Sequence, residues 1–421
     1  MIVEFSIGNY LSFKNPVTLS MVALNSVNEL EGNDSNLNNV FYDIKDKIKY
    51  IKSAAIYGAN GSGKSNLFSA INLFKSFILE SSKESLAEEP IRVIPFLFSS
   101  ECENKPSSFE MIFMIDKIRY RYGFEATQSE IISEWLFFLN IEETTRESNC
   151  FIRKFQEIKV NAKTFKEGKG VEGRTRKNTL FLSSVAQWNG EISILIQNWF
   201  KENIIILSGA TSETLDFTVN KFRENSSFQK KIVDFIKLID IGIEDIQIEE
   251  KEIKITSYHK KYDEAKKVID LAELQFDWES AGTKKLFSLL GPWFDALEKG
   301  KILIIDEFGS NLHTKLTIEL IKVFQSKINS ANAQLIFASH DTNLLRSDLF
   351  RRDQIWFTEK ENKSGNSDLY SLVEYRINQA TSVRNDTSFE KDYLVGKYGA
   401  IPYFGDINRF INEFIKANDD E

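Results

Sequence analysis

A mixed α/β fold, with helices on both faces of a largely parallel sheet, is what this sequence predicts, and three observations predict it. A glycine-rich segment, Gly58-Ala59-Asn60-Gly61-Ser62-Gly63-Lys64-Ser65, lies between a short apolar strand and an amphipathic helix. Two further apolar runs, residues 302–305 and 335–338, each pass straight into polar residues. After residue 271 strand and helix patterns alternate, which is the rhythm of a parallel sheet covered on both sides.

Composition bounds the reading. The chain has 421 residues, enough for one large domain or two ordinary ones, and 42% of them are hydrophobic, 34 being Phe, so a sizeable core can form. With 53 Lys and Arg against 61 Asp and Glu the formal charge is −8, which argues against nucleic-acid binding by bulk positive charge. Cys102 and Cys150 lie far apart with no metal-ligand spacing, so free thiols are expected rather than a disulfide framework or zinc site. The first residues lack the pattern of a signal peptide, and no apolar stretch approaches the ~18 residues of a membrane span. A cytoplasmic protein with no membrane partner is the expectation.

The elements follow in order. The opening segment alternates short β patterns with turns, at residues 3–7, 10–13 and 17–21, as an antiparallel β lobe would. Residues 25–39 are Asn-rich and read as a loop. Residues 53–57 form a buried-type strand, and residues 65 to about 80 a helix, because Leu67, Ile71, Phe74 and Ile78 recur at three- and four-residue spacing. Residues 109–115 and 118–124 flank Asp116-Lys117 as a hairpin. Between 129 and 270 the character changes: a strand near 134–139, a Lys/Gly-rich stretch, then helix patterns. The best of these covers 228–239, with Phe228, Ile232, Phe235, Ile236 and Ile239 on one face. This span reads as an inserted α/β lid between two parts of one head, 1–128 and 271–421. It carries no sustained heptads, so no coiled-coil arm is expected. The second part offers a helix at about 283–297, a strand at 302–305, a helix at about 313–330 and a strand at 334–338. The closing Asn-Asp-Asp-Glu reads as a solvated tail.

The glycine-rich segment matches G-x-x-x-x-G-K-S between strand and helix. Its glycines let backbone N–H groups of residues 58–66, Asn66 included, converge on phosphates at the positive end of the helix. Lys64 would reach the β- and γ-phosphates and Ser65 would ligate Mg²⁺. Asp306, at the end of a buried strand, would stand where ligands of doubly wound sheets bind and hold the same metal, while Glu307 would polarise the attacking water. His340, one of three histidines, follows another buried strand and could donate to a γ-phosphate oxygen or to that water. Ser280 is a candidate N-cap and Gly282 permits close approach, so a second helix start could meet an anion.

This order of motifs resembles the heads of ATP-binding-cassette and chromosome-maintenance ATPases, which are P-loop NTPases. Ser280-Ala-Gly282-Thr283 stands at their signature motif and His340 at their switch histidine. The closer resemblance is to the AAA15 family of bacterial ATPases, relatives of the ATPase parts of OLD-family and RecF-like proteins. It rests on Glu279-Ser-Ala-Gly-Thr-Lys-Lys-Leu-Phe287, Asp306-Glu-Phe-Gly-Ser-Asn-Leu-His313, Arg351-Arg-Asp-Gln-Ile-Trp-Phe357 and Gly396-Lys-Tyr-Gly-Ala-Ile-Pro402. It covers essentially the whole chain and is thin between 140 and 225. The likeness implies ATP and Mg²⁺ as ligands, with Glu307, His340 and Lys64 in the catalytic roles. It further implies a homodimer, or an oligomer of dimers, in which Ser280 and Gly282 complete the partner's phosphate site. The signature lacks the second glycine and the glutamine of transporter cassettes, and Gln128 and Gln187 are the candidates for a coupling glutamine.

Such ATPases often stand in anti-phage modules beside a separate Toprim-like or RloB-like nuclease or toxin, and the residues after His340 show no D-x-D pair of a fused nuclease. The first expectation is an ATP hydrolase that gates such an effector. A scaffold using ATP as a structural ligand is the second, and a RecF-like DNA repair factor the third. DNA is a candidate partner through residues 159–177, where seven Lys/Arg meet two Glu; a solvated loop is the favoured reading of that stretch.

Overall fold

Two sheets share one layer of helices. The computed structural model describes residues 1–25, 39–42, 48–83, 89–208, 212–239, 242–249, 254–377, 381–382 and 388–402. The Asn-rich loop read at 25–39 and the acidic C-terminal residues fall almost wholly outside them. Strands β1 (Ile2–Gly8) and β2 (Val17–Ser20) open the chain. A short pair follows, β3 (Val40–Tyr42) and β4 (Lys49–Ile51), and then β5 (Ser53–Tyr57) and helix α1 (Lys64–Glu80). Next come β6 (Ser107–Ile115), β7 (Ile118–Ala126), β8 (Ile131–Asn140), β9 (Ser148–Lys154) and β10 (Glu157–Val160). The antiparallel sheet has the order β10-β9-β8-β7-β6-β1-β2. Residues 10–13 make a tight turn instead of the expected strand, because Asn9 and Leu11 both take left-handed backbone (φ 48 for each).

After α2 (Phe181–Gln187) and α3 (Glu191–Asn203), β11 (Ile204–Ser208) enters the second sheet. Helices α4 (Ser212–Glu224) and α5 (Ser226–Ile239) precede a three-stranded sheet of β12 (Ile243–Ile248), β13 (Ile255–Tyr262) and β14 (Val268–Gln275). The elements that follow include α6 (Ala281–Lys299), β15 (Ile302–Asp306), α7 (Thr314–Phe324), β16 (Gln334–Ala338), β17 (Ile355–Lys360), β18 (Ser367–Ser371) and α8 (Phe389–Leu394).

The second sheet has the order β11-β15-β16-β5-β17-β18, all parallel but for the antiparallel edge β18. Alternation along each strand divides the core in two. Ala54, Ile56, Ile302, Ile304 and Ile336 point toward α1 and the antiparallel sheet. Ala55, Tyr57, Leu303, Ile305 and Leu335 join the cluster that holds residues of α4 to α8. Helix α1 is the shared layer: Phe74 meets Phe5 of β1 at 5.8 Å and Phe124 of β7 at 5.5 Å. Both cysteines are buried and free, and burial pushes the Cys150 thiol up to about 12. Among the described residues no helix is long and apolar enough to cross a membrane.

The proposed division at 129 and 270 is corrected by these pairings. Residues 131–160 are strands of the same antiparallel sheet as β1, and β11 is a strand of the parallel sheet, so the span between is shared by both layers. Residues 131–160 extend the β6–β7 meander by pairing with β7, whereas β11 joins β15, far along the chain, a partner that local patterning does not carry. Within this span, α4, α5 and the small sheet come nearest to a separate unit, and α4 is tied to α6 by Thr218 Oγ1 donating to Ser288 O at 2.6 Å. The Lys/Gly-rich stretch is packed as well: Phe165 and Gly168 are buried, and Glu167 caps α3 by accepting from the Ile192 and Ser193 amides, both at 2.9 Å. Helix α7 stops at Phe324, short of the expected 330, where the buried Gln325 side chain turns to Ser53 Oγ (3.0 Å).

Candidate nucleotide site

Parallel strands deliver their C-terminal ends to one edge, and three such ends meet here. Strand β16, which leads into Ser339 and His340, lies between β5, which leads into residues 58–65, and β15, which ends at Asp306. The loop after β5 is held in shape from behind by the β17–β18 hairpin. Gly58 has φ 154, and a Cβ there would strike Thr358 O and lie 2.6 Å from Ser62 Oγ; Gly63 has φ 120 and would meet Ser367 Oγ at 2.9 Å. Ser62 Oγ and Thr358 Oγ1 share a buried hydrogen bond of 2.6 Å. Asn66 Nδ2 donates to Ser12 Oγ at 2.8 Å, so the turn after β1 backs the helix start.

Lys64 is buried and its ammonium donates to Gly58 O (2.7 Å) and Ala59 O (3.0 Å). Burial pushes it down to about 8, against the pull of Asp306 and Glu307, which favour the charged form. His340 is more exposed. Partial burial and the Lys64 charge hold it below the ordinary histidine value, while Glu307 and Asp306 act the other way. These mutual influences bring Lys64, Asp306, Glu307 and His340 within electrostatic reach of one another. Lys285, also pushed down by burial, feels Glu307 as well, and its ammonium bonds Ser310 Oγ.

The turn after β15 is strained. Glu307 takes φ 54 and Asn311 φ 63, left-handed values that cost non-glycine residues on the order of 1–3 kcal/mol and cluster at working sites. It is held by Phe308 N donating to Ala338 O (2.8 Å) and by Ser339 Oγ donating to Phe308 O (3.1 Å), which lock the acid pair to the histidine strand. Ser65 is exposed and Asp306 half-buried. Among the described residues no group of three His, Cys, Asp or Glu could hold a metal alone. A hydroxyl and a carboxylate are hard oxygen donors, and Mg²⁺ shared with phosphates needs only one or two of them, so this pair suits it.

A cleft of about 1230 Å³ opens at this edge, lined by residues of the loop, by Ser339 and His340, by the tip of the β17–β18 hairpin, and by Tyr393, Ile401 and Pro402. Lys64, Ser65, Asp306 and Glu307 do not line it, nor do Ser280 and Gly282. Ser280 caps α6, its Oγ accepting from Thr283 N at 3.0 Å, and Gly282 sits against Asn311 O, beside the strained turn. Gln128 and Gln187 do not line it either; Gln187 bonds Ser82 O at 2.7 Å. Arg351 and Asp353 form a buried pair that also grips the Leu24 backbone.

The profile of the family described as "AAA domain, putative AbiEii toxin, Type IV TA system" matches residues 53–346, more than half of the chain, from the strand before the loop to beyond His340. The chain belongs to this AAA-domain family. No curated protein sequence matches it. Solved structures similar to this AAA-domain protein include the SMC head domain from Thermotoga maritima, at 14% identity over 88% of this chain and 98% of that one, with a TM-score of 0.40. The Smc head domain bound to the C-terminal domain of ScpA, from Pyrococcus furiosus, is similar at 13% identity over 94% and 98%, with a TM-score of 0.40. The cbiO1 component of the cbiONQ ABC transporter complex from Clostridium perfringens is similar at 12% identity over 86% and 91%, with a TM-score of 0.29.

Sequence reasoning missed Thr358, Ser367 and Lys285. Thr358 and Ser367 reach the loop only through the pairing of β17 with β5, a contact across some 300 residues of chain. For Lys285 a signal existed, since it lies in the quoted segment around Ser280.

Proposed function

We propose that this AAA-domain protein hydrolyses ATP, closes as a homodimer around it, and thereby gates a separate effector, a nuclease or toxin, in bacterial anti-phage defence. The observation that carries the reading is the convergence of Lys64, Asp306, Glu307 and His340 at one sheet edge. Lys64 and the loop amides bind the phosphates, and Ser65 with Asp306 would hold Mg²⁺. When bound, that ion neutralises phosphate charge. Glu307 orients the attacking water and takes up its proton, and His340, kept neutral at pH 7, holds the γ-phosphate side by a hydrogen bond.

What supports closure by a second copy is the resemblance of Ser280-Ala-Gly282-Thr283 to a signature segment, at the start of α6 and beside the turn that follows the acid pair. ATP bound between two faces then favours the closed pair, and hydrolysis loosens it. The toxin–antitoxin wording of the family description supports an effector setting, and the quoted motifs support the AAA15-like branch. The test is light scattering with and without ATP and Mg²⁺. Glu307→Gln should dimerise with ATP and fail to turn it over, whereas Ser280→Arg should stay monomeric and folded. An ATP-dependent dimer that persists in Ser280→Arg refutes the shared site; wild-type turnover in Glu307→Gln refutes the assignment of the base.

A further inference from the structure

We propose, on the basis of the ATPase reading, that Lys285 is a positioning residue for the hydrolytic step: its ammonium holds Ser310, and with it the turn that carries Glu307. The helix whose start offers Ser280 thereby also sets the base of its own chain. Glu307 is exposed, and among the described residues its carboxylate accepts no hydrogen bond, so its place is set by the backbone of residues 306–311. That backbone is left-handed at Glu307, at Asn311 and, between them, at Gly309 (φ 87). A turn strained in this way persists only where its surroundings fix it. Strand β16 holds it at Phe308. Helix α6 holds it at three points: Trp293 stacks on Phe308 with ring centroids 5.6 Å apart, the Lys285 ammonium donates to Ser310 Oγ, and a Cβ on Gly282 would stand 3.0 Å from Asn311 O. Of these three contacts, that of Lys285 alone brings a charge.

Stability alone does not account for a lysine here. Lys285 is half-buried, which strips water from its ammonium and pushes its pKa down, and among the described residues no carboxylate lies within ion-pair distance of it. One hydroxyl is its bonded partner, which leaves two of its three donor protons over. The acid whose charge acts on it is Glu307, and with Asp306 it lines one small cavity of about 20 Å³. A cation kept at the root of the acid pair offsets the repulsion between two neighbouring carboxylates and draws Glu307 toward one position. Through Ser310 the same ammonium fixes the backbone from which Glu307 projects, so charge and geometry act together on the group that must take up a proton from the attacking water.

The experiment is ATP turnover by the full-length protein, with ATP affinity from fluorescence titration and assembly from light scattering. Lys285→Met keeps the carbon stem and removes the charge and its donors. Its kcat should fall by about ten- to a hundredfold, the penalty of a misplaced base. The Kd for ATP should stay within about twofold of wild type, because the phosphate contacts are untouched. Lys285→Arg, which restores charge and donor, should recover most of the loss. Ser310→Ala should also lower kcat, and the double variant should fall no further than Lys285→Met, because both changes remove one bond. Wild-type kcat in Lys285→Met overturns the proposal. So does a Kd that rises as far as kcat falls, which makes Lys285 a phosphate contact, or loss of the ATP-dependent dimer that wild type forms, which places its action in closure. If Lys285→Met does not fold, Ser310→Ala decides, since it removes one half-buried hydroxyl, and wild-type kcat in that variant overturns the proposal equally. A wild type without turnover sinks the ATPase reading itself, whereas equal turnover by wild type and Lys285→Met sinks the positioning role alone.

Discussion

Lys64 meets two opposed demands: a phosphate site wants a cation, and burial disfavours one. With its pKa pushed down to about 8, the free protein carries this charge almost fully at pH 7 and about a tenth of the time at pH 9. Phosphates bind the charged form, so the apparent Kd for ATP should rise about tenfold between those pH values, read by fluorescence titration. Lys64→Arg, which stays charged throughout, should bind more weakly at pH 7 and show a flat profile. Thr358 acts at one remove. Thr358→Val strands the buried Ser62 hydroxyl at a cost of about 1–3 kcal/mol. ATP affinity should fall by about tenfold, with kcat little changed and Thr358→Ser restoring the wild-type value; an unchanged Kd would remove its positioning role.

Between α2 and the antiparallel sheet stands a buried carboxylate. Glu134 of β8 accepts from the Phe181 amide (2.6 Å), the Leu182 amide (3.0 Å) and Tyr122 Oη (3.0 Å), with Arg153 of β9 at 3.5 Å. Burial raises its pKa, and the Arg153 charge and these donors act against that rise. Glu134→Ala removes the counter-charge of the wholly buried Arg153 and the acceptors of the first amides of α2, and should cost about 3–5 kcal/mol in urea unfolding. Glu134→Gln, which keeps one acceptor oxygen for the helix amides, should cost less. At this scale the sequence was legible where a pattern is local. Helix α5 and the β6–β7 hairpin lie where their periodicity puts them, because burial of one face is a property of consecutive residues. The turn at residues 10–13 was not, because its shape depends on left-handed Asn9 and Leu11, which no spacing reveals.

For the whole molecule, the closure model makes a prediction that no single variant can. Lys64→Ala lacks its own phosphate cation and Ser280→Arg spoils the segment it lends, so each should be inactive alone. Neither variant closes with its own copy, so the dimers that form in an equal mixture pair one of each, and each keeps one intact site. Turnover should therefore recover, to at most about half of the wild-type rate. Chains that work alone would show no recovery. Sheet order also moves the insertion boundary, since residues 131–160 continue the meander that begins at β6, and β11 pairs with β15, far away in sequence.

The glycine-rich loop, the acid pair and His340 were legible as candidates in the sequence alone, because each stands directly after an apolar strand pattern. So was the alternation of strand and helix after residue 271. The tertiary structure alone decided that β16 lies between β5 and β15, that the β17–β18 hairpin clamps the loop, and that Gly282 sits beside the turn after β15. The reason is physical: motifs arise from neighbours along the chain, whereas strand order and the walls of a cleft arise from backbone hydrogen bonds and packing between residues hundreds of positions apart.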